Sequence, residues 1–320
     1  MPLVSSNYHP PYLFKNGHLA TIYAGLFREV KGIVQHRERI ELPDGDFLDL
    51  DWSHAKRASK KVTILLHGLE GNAQRAYIQG SAKALNENRY DVCAINFRGC
   101  SGEPNTTYRS YHSGATEDLK AVLEHIINTK EYAEIYLKGF SLGGNLLLKY
   151  LGEGNAIPPE IKGAVAVSVP CRLDDSLRQL LTFKNTAYAE RFKKNLLGKL
   201  KSKQALFPSK ITDADIQKIN TLKDFDDVYT SRAHGFTDAM DYYTQCSCRQ
   251  FLPNINIPSL IINAQNDSFL GEACYPTTEA KHSKHVYLEI PKYGGHVGFY
   301  GAGNFTYTEL RAVSFFDGLD

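Results

Sequence analysis

The sequence predicts a doubly wound α/β protein: eight strands in a mostly parallel sheet, helices on both faces, and one helical insertion. Short apolar runs of strand length recur along the 320 residues. Stretches of helical pattern separate most of the later ones, the alternation that right-handed βαβ crossovers require. That alternation lapses once, between Pro170 and about Pro253, where only helical patterns are legible.

In chain order, HRERIEL and FLDLDWS flank Pro43-Asp44-Gly45-Asp46, a turn signal that predicts an antiparallel hairpin. KVTILLH, YDVCAINF, AEIYLKGF, GAVAVSV, SLIINA and HVYLEI follow. Most are nearly continuous apolar runs, as expected of strands covered on both faces. AYIQGSAKALNENR, ATEDLKAVLEHIINTKE and GGNLLLKYLGEG read as the helices after the first three of these six. In the interrupted stretch, DDSLRQLLTF, AYAERFKKNLLGKLKSK, TDADIQKINTL and FTDAMDYYTQC read as further helices. The expected organisation is a core of residues 1–170 and 254–320 and a helical lid of residues 171–253. Such a lid would cover the C-terminal edge of the sheet, where open α/β folds bind ligands.

Composition narrows the function. Thirty-seven Lys and Arg against thirty-five Asp and Glu give a net charge of +2, which offers no case for nucleic-acid binding. The longest apolar runs fall far short of the ~20 residues a membrane span needs, and the N-terminus lacks the apolar stretch of a signal peptide. An intracellular, cytoplasmic protein is expected. Six scattered cysteines read as free thiols; Cys246 and Cys248 have no second pair at metal-ligand spacing.

The chemistry centres on Gly139-Phe140-Ser141-Leu142-Gly143, a G-x-S-x-G between a strand and a helix. A serine so placed projects its hydroxyl into the open, and the helix start directs positive dipole toward it. Serine needs a base, and the base needs an orienting carboxylate, in the chain order Ser, acid, His. Asp267 follows SLIINA and His296 follows HVYLEI, each on a short loop at the same sheet edge. Asp267 also reads as a simple turn residue, and His112 and His67 are rival bases, without the required order. His67-Gly68-Leu69-Glu70-Gly71 follows KVTILLH, so the expected oxyanion donors are the N–H groups of Leu69 and Leu142. Neither G-K-[ST] nor G-x-G-x-x-G is present, so no nucleotide cofactor is expected, and no metal.

With these residues the chain resembles the α/β-hydrolase superfamily, and within it the YheT-like branch of esterases and lipases. The narrower resemblance rests on NGHLATI, NFRGCSGEPN, YHSGATEDL, FDDVYTSRAHGF and DYYTQCS. It implies a Ser141–Asp267–His296 triad, a helical lid and hydrolysis of small-molecule carboxylic esters. Related enzymes act on medium-chain ethyl esters, monoacylglycerols and other lipid esters, and some transfer the acyl group to an alcohol. One departure is Ser268, where such enzymes often have proline after the acid. Alternatives are an alcohol acyltransferase with the same triad, or a non-catalytic binding module. Residues 184–203 hold seven Lys or Arg and one acid, Glu190. They read either as a solvated amphipathic helix or as a weak contact of the lid with an anionic membrane surface.

Overall fold

In the computed structural model, which describes residues 3–301 and 303–319, all eight apolar runs join one sheet. The strands are β1 (Leu3–Val4), β2 (His36–Glu41), β3 (Phe47–Ser53), β4 (Lys61–Leu66), β5 (Asp91–Asn96), β6 (Glu134–Phe140), β7 (Ile161–Val167), β8 (Ser259–Ile262) and β9 (Val286–Glu289). Their spatial order is β1-β9-β8-β7-β6-β4-β5-β3-β2. β3 runs antiparallel to β2 and β5, and the other pairs are parallel. The sheet therefore has nine strands rather than the expected eight. The extra one, β1, pairs Leu3 with Leu288. Two residues among prolines and polar neighbours carry no alternation from which a strand could be read.

Helices α1 (Gly17–Ile22), α2 (Ala76–Glu87), α3 (Thr116–Thr129) and α4 (Leu142–Gly152) precede β7. A helical excursion then separates β7 from β8: α5 (Leu173–Leu180), α6 (Thr186–Leu206), α7 (Asp213–Gln217), α8 (Leu222–Phe225), α9 (Ser231–His234) and α10 (Ala239–Cys246). The last two helices are α11 (Thr277–His282) and α12 (Tyr307–Asp317).

Successive residues of the central strands point to opposite faces, and both faces are apolar. Ile64, Leu66, Leu137 and Ala166 pack with Val122 of α3 and Leu146 of α4. Leu65, Tyr136, Val165 and Val167 pack with Ile78 of α2 and Phe316 of α12. This double coverage is why the runs are continuous rather than alternating. Each buried aliphatic side chain contributes roughly 1.5–3 kcal/mol, so the sheet is a stiff base for the loops at its C-terminal edge.

The excursion has its own small core, in which Leu196 and Leu200 of α6 meet Ile219, Leu222 and Phe225. The seven basic residues around α6 do not share one face. Lys199 turns inward to Glu70 (2.9 Å), and Lys203 to Asn105 Oδ1 and the Thr107 carbonyl (both 2.6 Å). Lys184, Arg191, Lys194 and Lys201 are exposed. Below the excursion, buried Arg98 fixes the loop after β5 by donating to Asp118 (2.7 Å), Asp44 (2.6 Å) and Asp46 (3.0 Å).

Lys138, on β6 three residues before the turn, is fully buried. Its ammonium donates to Ser81 Oγ (2.9 Å) and the Thr308 carbonyl (3.0 Å), and has no carboxylate partner among the described residues. Burial pushes its pKa down to about 7, against the opposing pull of Glu309. An unfolded chain holds this proton up to about pH 10.4. Between these values the unfolded state binds more protons, so this group makes stability rise with pH from about 7 to about 10. Lys138→Met should flatten that rise and lift the melting temperature at pH 7. Parallel melting-temperature profiles for the two proteins from pH 7 to 9.5 would contradict this account.

Candidate active site

β6 ends at Phe140 and α4 begins at Leu142, so Ser141 alone makes the turn. Its backbone lies at φ 51°, ψ −118°, a conformation that costs a non-glycine residue on the order of 1–3 kcal/mol. The Ser141 N–H donates to Val167 O of β7 (2.8 Å), and its carbonyl accepts from Asn145 N–H (3.0 Å). The glycines are needed for contact. A Cβ on Gly143 would stand 2.5 Å from His67 O and 2.6 Å from Leu66 O, and one on Gly139 would stand 2.5 Å from Gly143 O. The first turn of α4 can therefore lie against the end of β4 only without side chains there.

Ser141 Oγ is 3.0 Å from His296 Nε2, and His296 Nδ1 is 2.9 and 3.1 Å from the two carboxylate oxygens of Asp267. Asp267 is buried and also accepts the Phe269 N–H (2.9 Å). A carboxylate facing Nδ1 assigns the proton to that nitrogen, which leaves Nε2 to accept from the serine hydroxyl. The loop holding His296 is strained: Val297, a β-branched residue, sits at φ 63°. Its backbone is held by outside acceptors. Thr21 Oγ1 takes the His296 N–H (2.8 Å), Asn266 Oδ1 the Gly295 N–H (3.0 Å), and Ser168 Oγ the Val297 N–H (2.9 Å). The Phe269 ring stacks on the imidazole with centroids 4.3 Å apart.

Thr21 is a site residue that the sequence reading missed. It lies on α1, which meets the acid and histidine loops backbone to backbone: Gly17 leaves no room for a Cβ beside Asn266 O, and Gly295 none beside Gly17 O. The only signal was the glycine and small residues of NGHLATI. Ser268 also has a use. Its hydroxyl donates to Asn185 Oδ1 (2.8 Å), and Asn185 Nδ2 returns a bond to Ser268 O (2.7 Å). A proline at 268 could not donate the first bond.

Across from His296, the loop after β4 lies against the turn, since a Cβ on Gly68 would be 3.2 Å from Ser141 Cβ. Neither Leu69 N–H nor Leu142 N–H has a hydrogen-bond partner among the described residues. Glu70, which carries no sequence signal of its own, holds this loop at φ 54° through its N–H, its carbonyl and carboxylate oxygen Oε1. Its N–H donates to Tyr111 Oη (2.9 Å), and its carboxylate accepts from Tyr111 (2.7 Å) and Lys199 (2.9 Å). Its carbonyl accepts from Arg75 (2.9 Å).

The rival histidines are both buried. His67 Nδ1 faces Gly68 O (2.7 Å) and Nε2 accepts the Phe97 N–H (3.2 Å), so both nitrogens are occupied. His112 Nδ1 accepts the Gly114 N–H (3.1 Å). Burial pushes each down to a pKa of about 3. Of the three candidates, His296 is the one that meets Ser141. No group of three or more His, Cys, Asp or Glu is placed to hold a metal among the described residues.

Two cavities meet at Ser141. One, about 130 Å³, runs under the excursion between Leu173, Leu177, Leu222 and Tyr242, with Leu69 and Leu142 at its mouth. The other, about 180 Å³, lies between Ile22, Leu26, Tyr188, Phe192 and Phe269, and His296 lines it. His296 does not line the first.

The sequence matches the α/β hydrolase fold family over residues 61–302, and the chain belongs to that family. Within it the chain falls in the YheT-like esterase/lipase branch. YheT of Escherichia coli is 37% identical, the match covering 93% of this chain and 88% of that one. The phospholipase ABHD3 of Bos taurus is 31% identical (93% and 74% covered), and the human monoacylglycerol lipase ABHD2 28% (93% and 76%). Among solved structures, an esterase of Pyrococcus furiosus shares the fold, with a TM-score of 0.60 at 16% identity over 90% of this chain and 91% of its own. Est1E of Butyrivibrio proteoclasticus does so at 0.57 and 16% identity, over 88% and 98%. No helix among the described residues is long and apolar enough to cross a membrane.

The turn's tolerances are testable. Gly143→Ala forces a methyl onto two backbone carbonyls, which cannot swing aside as a side chain would. It should destabilise the protein by about 1–3 kcal/mol, the usual range for overpacking. Urea unfolding measures this, and a midpoint equal to wild type would show that α4 shifts without cost.

Proposed function

We propose that this protein hydrolyses carboxylic esters through an acyl-enzyme at Ser141, with residues 171–253 as its lid. The observation that carries the reading is the continuous hydrogen-bonded line Asp267–His296–Ser141, on a cavity shared with Leu69 and Leu142, whose amides have no partner among the described residues. A serine hydroxyl is a weak nucleophile unless a base removes its proton as it attacks. His296 Nε2 takes that proton while Oγ bonds to the ester carbonyl carbon. The carbonyl oxygen becomes an oxyanion, which the Leu69 and Leu142 N–H groups receive. As the C–O bond to the alcohol breaks, Nε2 returns the proton to the leaving oxygen. Water then repeats the sequence on the acyl-enzyme and frees the acid. Asp267 keeps Nδ1 protonated and stabilises the imidazolium.

The cavities divide the ester between them. The leaving oxygen must come within hydrogen-bond reach of His296 Nε2, so the alcohol occupies the cavity that His296 lines. The acyl chain then lies in the apolar cavity bounded by Leu173, Leu177 and Tyr242. Its modest size favours short- to medium-chain aliphatic acyl groups. The names of the lipase and phospholipase relatives support extending the range to lipid esters.

A fluorophosphonate probe should label wild type and not Ser141→Ala, and His296→Ala should lose ester hydrolysis. Labelling of Ser141→Ala at wild-type rate would sink the proposal. Leu177→Trp, which fills the acyl cavity, should shift the preferred p-nitrophenyl ester to a shorter chain. An unchanged chain-length profile would reverse the assignment of the two cavities. Glu70→Gln weakens the clamp on the Leu69 loop and should lower kcat by roughly tenfold, less than the loss of a whole oxyanion donor. KM should change little, and affinity for a trifluoromethyl ketone should fall in step with kcat.

A further inference from the structure

Behind the Leu69 loop, under α6, lies a third cavity of about 410 Å³ of mixed lining, to which Asn72, Arg75, Asn105, Ser110, Lys199 and Lys203 bring polar groups. It shares Glu70, Gly71, Arg75 and Asn195 with the His296-lined cavity, so the two chambers meet along Arg75 and Asn195. The proposed ester hydrolysis makes no use of this space.

Most charges on its wall are engaged in ion pairs. Arg98 is matched by Asp44, Asp46 and Asp118, Glu103 by Arg39, and Glu70 by Lys199. Two cations remain with no carboxylate partner among the described residues, Arg75 and Lys203. Lys203 is 5% exposed, and its N–H groups go to neutral acceptors, Asn105 Oδ1 and the carbonyls of Asn105, Thr107 and Arg109. Asp46, beyond Asn105, is already held by Arg98, Asn105, Thr106 and Thr107. Lys203 therefore has no free donors, and its charge faces Asp46 of the Arg98 cluster. Arg75 supplies the donors: among the described residues its guanidinium makes one hydrogen bond, from Nη2 to the Glu70 carbonyl, which leaves most of the fork unused. Beside it, the Asn195 side chain has no partner among the described residues, and Arg191, on the His296-lined cavity, has no carboxylate partner.

We propose that the alcohol part of the substrate carries an anionic group, a phosphate or a carboxylate, which docks on Arg75 where the two cavities meet. This rests on the assignment of the alcohol to the His296 side. The alcohol leads away from Ser141 along the apolar wall of Ile22, Leu26 and Phe192, and its charged end turns at Arg75 and Asn195 into the third cavity. Arg191 stands at the outer side. A neutral alcohol of the same size leaves these groups to water and gains nothing from them.

Matched substrates test the idea: one acyl group on glycerol, on glycerol 3-phosphate and on a hydroxycarboxylic acid of similar length. Wild type should show a kcat/KM at least tenfold higher for one or both anionic esters than for the neutral one, with the difference in KM and diminishing as salt rises. The phosphate and carboxylate arms identify which anion is preferred. Arg75→Gln should bring the ratio close to one. Arg191→Gln, at an exposed position that tolerates change, should lower it by a smaller factor. A wild-type ratio at or below one, or a ratio unmoved by both substitutions, overturns the proposal. Calorimetric titration of Ser141→Ala with glycerol 3-phosphate gives a readout independent of turnover. Binding that Arg75→Gln weakens at least tenfold supports the site, and no binding of glycerol 3-phosphate or of the free hydroxy acid overturns it. If binding is seen but wild type cleaves none of the esters, the ester-hydrolysis reading fails while the anion site stands.

Discussion

The one-residue turn at Ser141 sets the dimensions of everything around it. A serine at φ 51° between strand and helix brings the first turn of α4 onto the end of β4. Gly143 then meets the carbonyls of Leu66 and His67, Gly144 meets Val169, and Gly68 meets Ser141 itself. The strain is local, on the order of 1–3 kcal/mol, whereas the strands on either side are buried on both faces and cannot relax toward the turn. The geometry leaves the Leu142 amide at the head of α4 without an intrahelical acceptor, as every helix start does. It also sets that amide opposite the loop that carries Leu69. Two amides without partners among the described residues thus come from the same packing that presents the hydroxyl.

The parts of this arrangement that were legible in the sequence are those with a local signature. Strands covered on both faces appear as continuous apolar runs, and a strand followed by G-x-S-x-G and a helix defines the turn. Asp267 and His296 were legible because each follows a recognisable strand by a few residues. What the sequence hid depends on partners distant in the chain. Thr21 acts through the backbone of His296, and Glu70 through Tyr111, Arg75 and Lys199. No spacing rule links those positions. β1 is too short to carry a period. The seven basic residues around α6 show the opposite difficulty. A count suggested a surface, but the acceptors that draw Lys199 and Lys203 inward belong to loops of the core.

Those inward contacts bear on how the site is reached. The excursion is tied to the acid loop by Asn185 and Ser268, to the Leu69 loop by Lys199 and Glu70, and to the loop after β5 by Lys203 and Asn105. The Glu70 side chain is only 5% exposed. Lifting α6 as a rigid body would take Lys199 from that carboxylate and leave it with Tyr111 alone. It would also slacken the clamp that holds Leu69 in place, so the site would open only by losing its preorganisation. Across from α6, His18 of α1 meets Tyr188 of α6 (3.3 Å), while further out Leu26 is 56% exposed, in a short segment that follows α1. Side-chain movement of Leu26 and Phe192 widens the His296-lined cavity without touching Glu70, Lys199 or Ser268. The contacts therefore favour a fixed α6 and passage between its Phe192 and Leu26, with the Leu69 loop undisturbed.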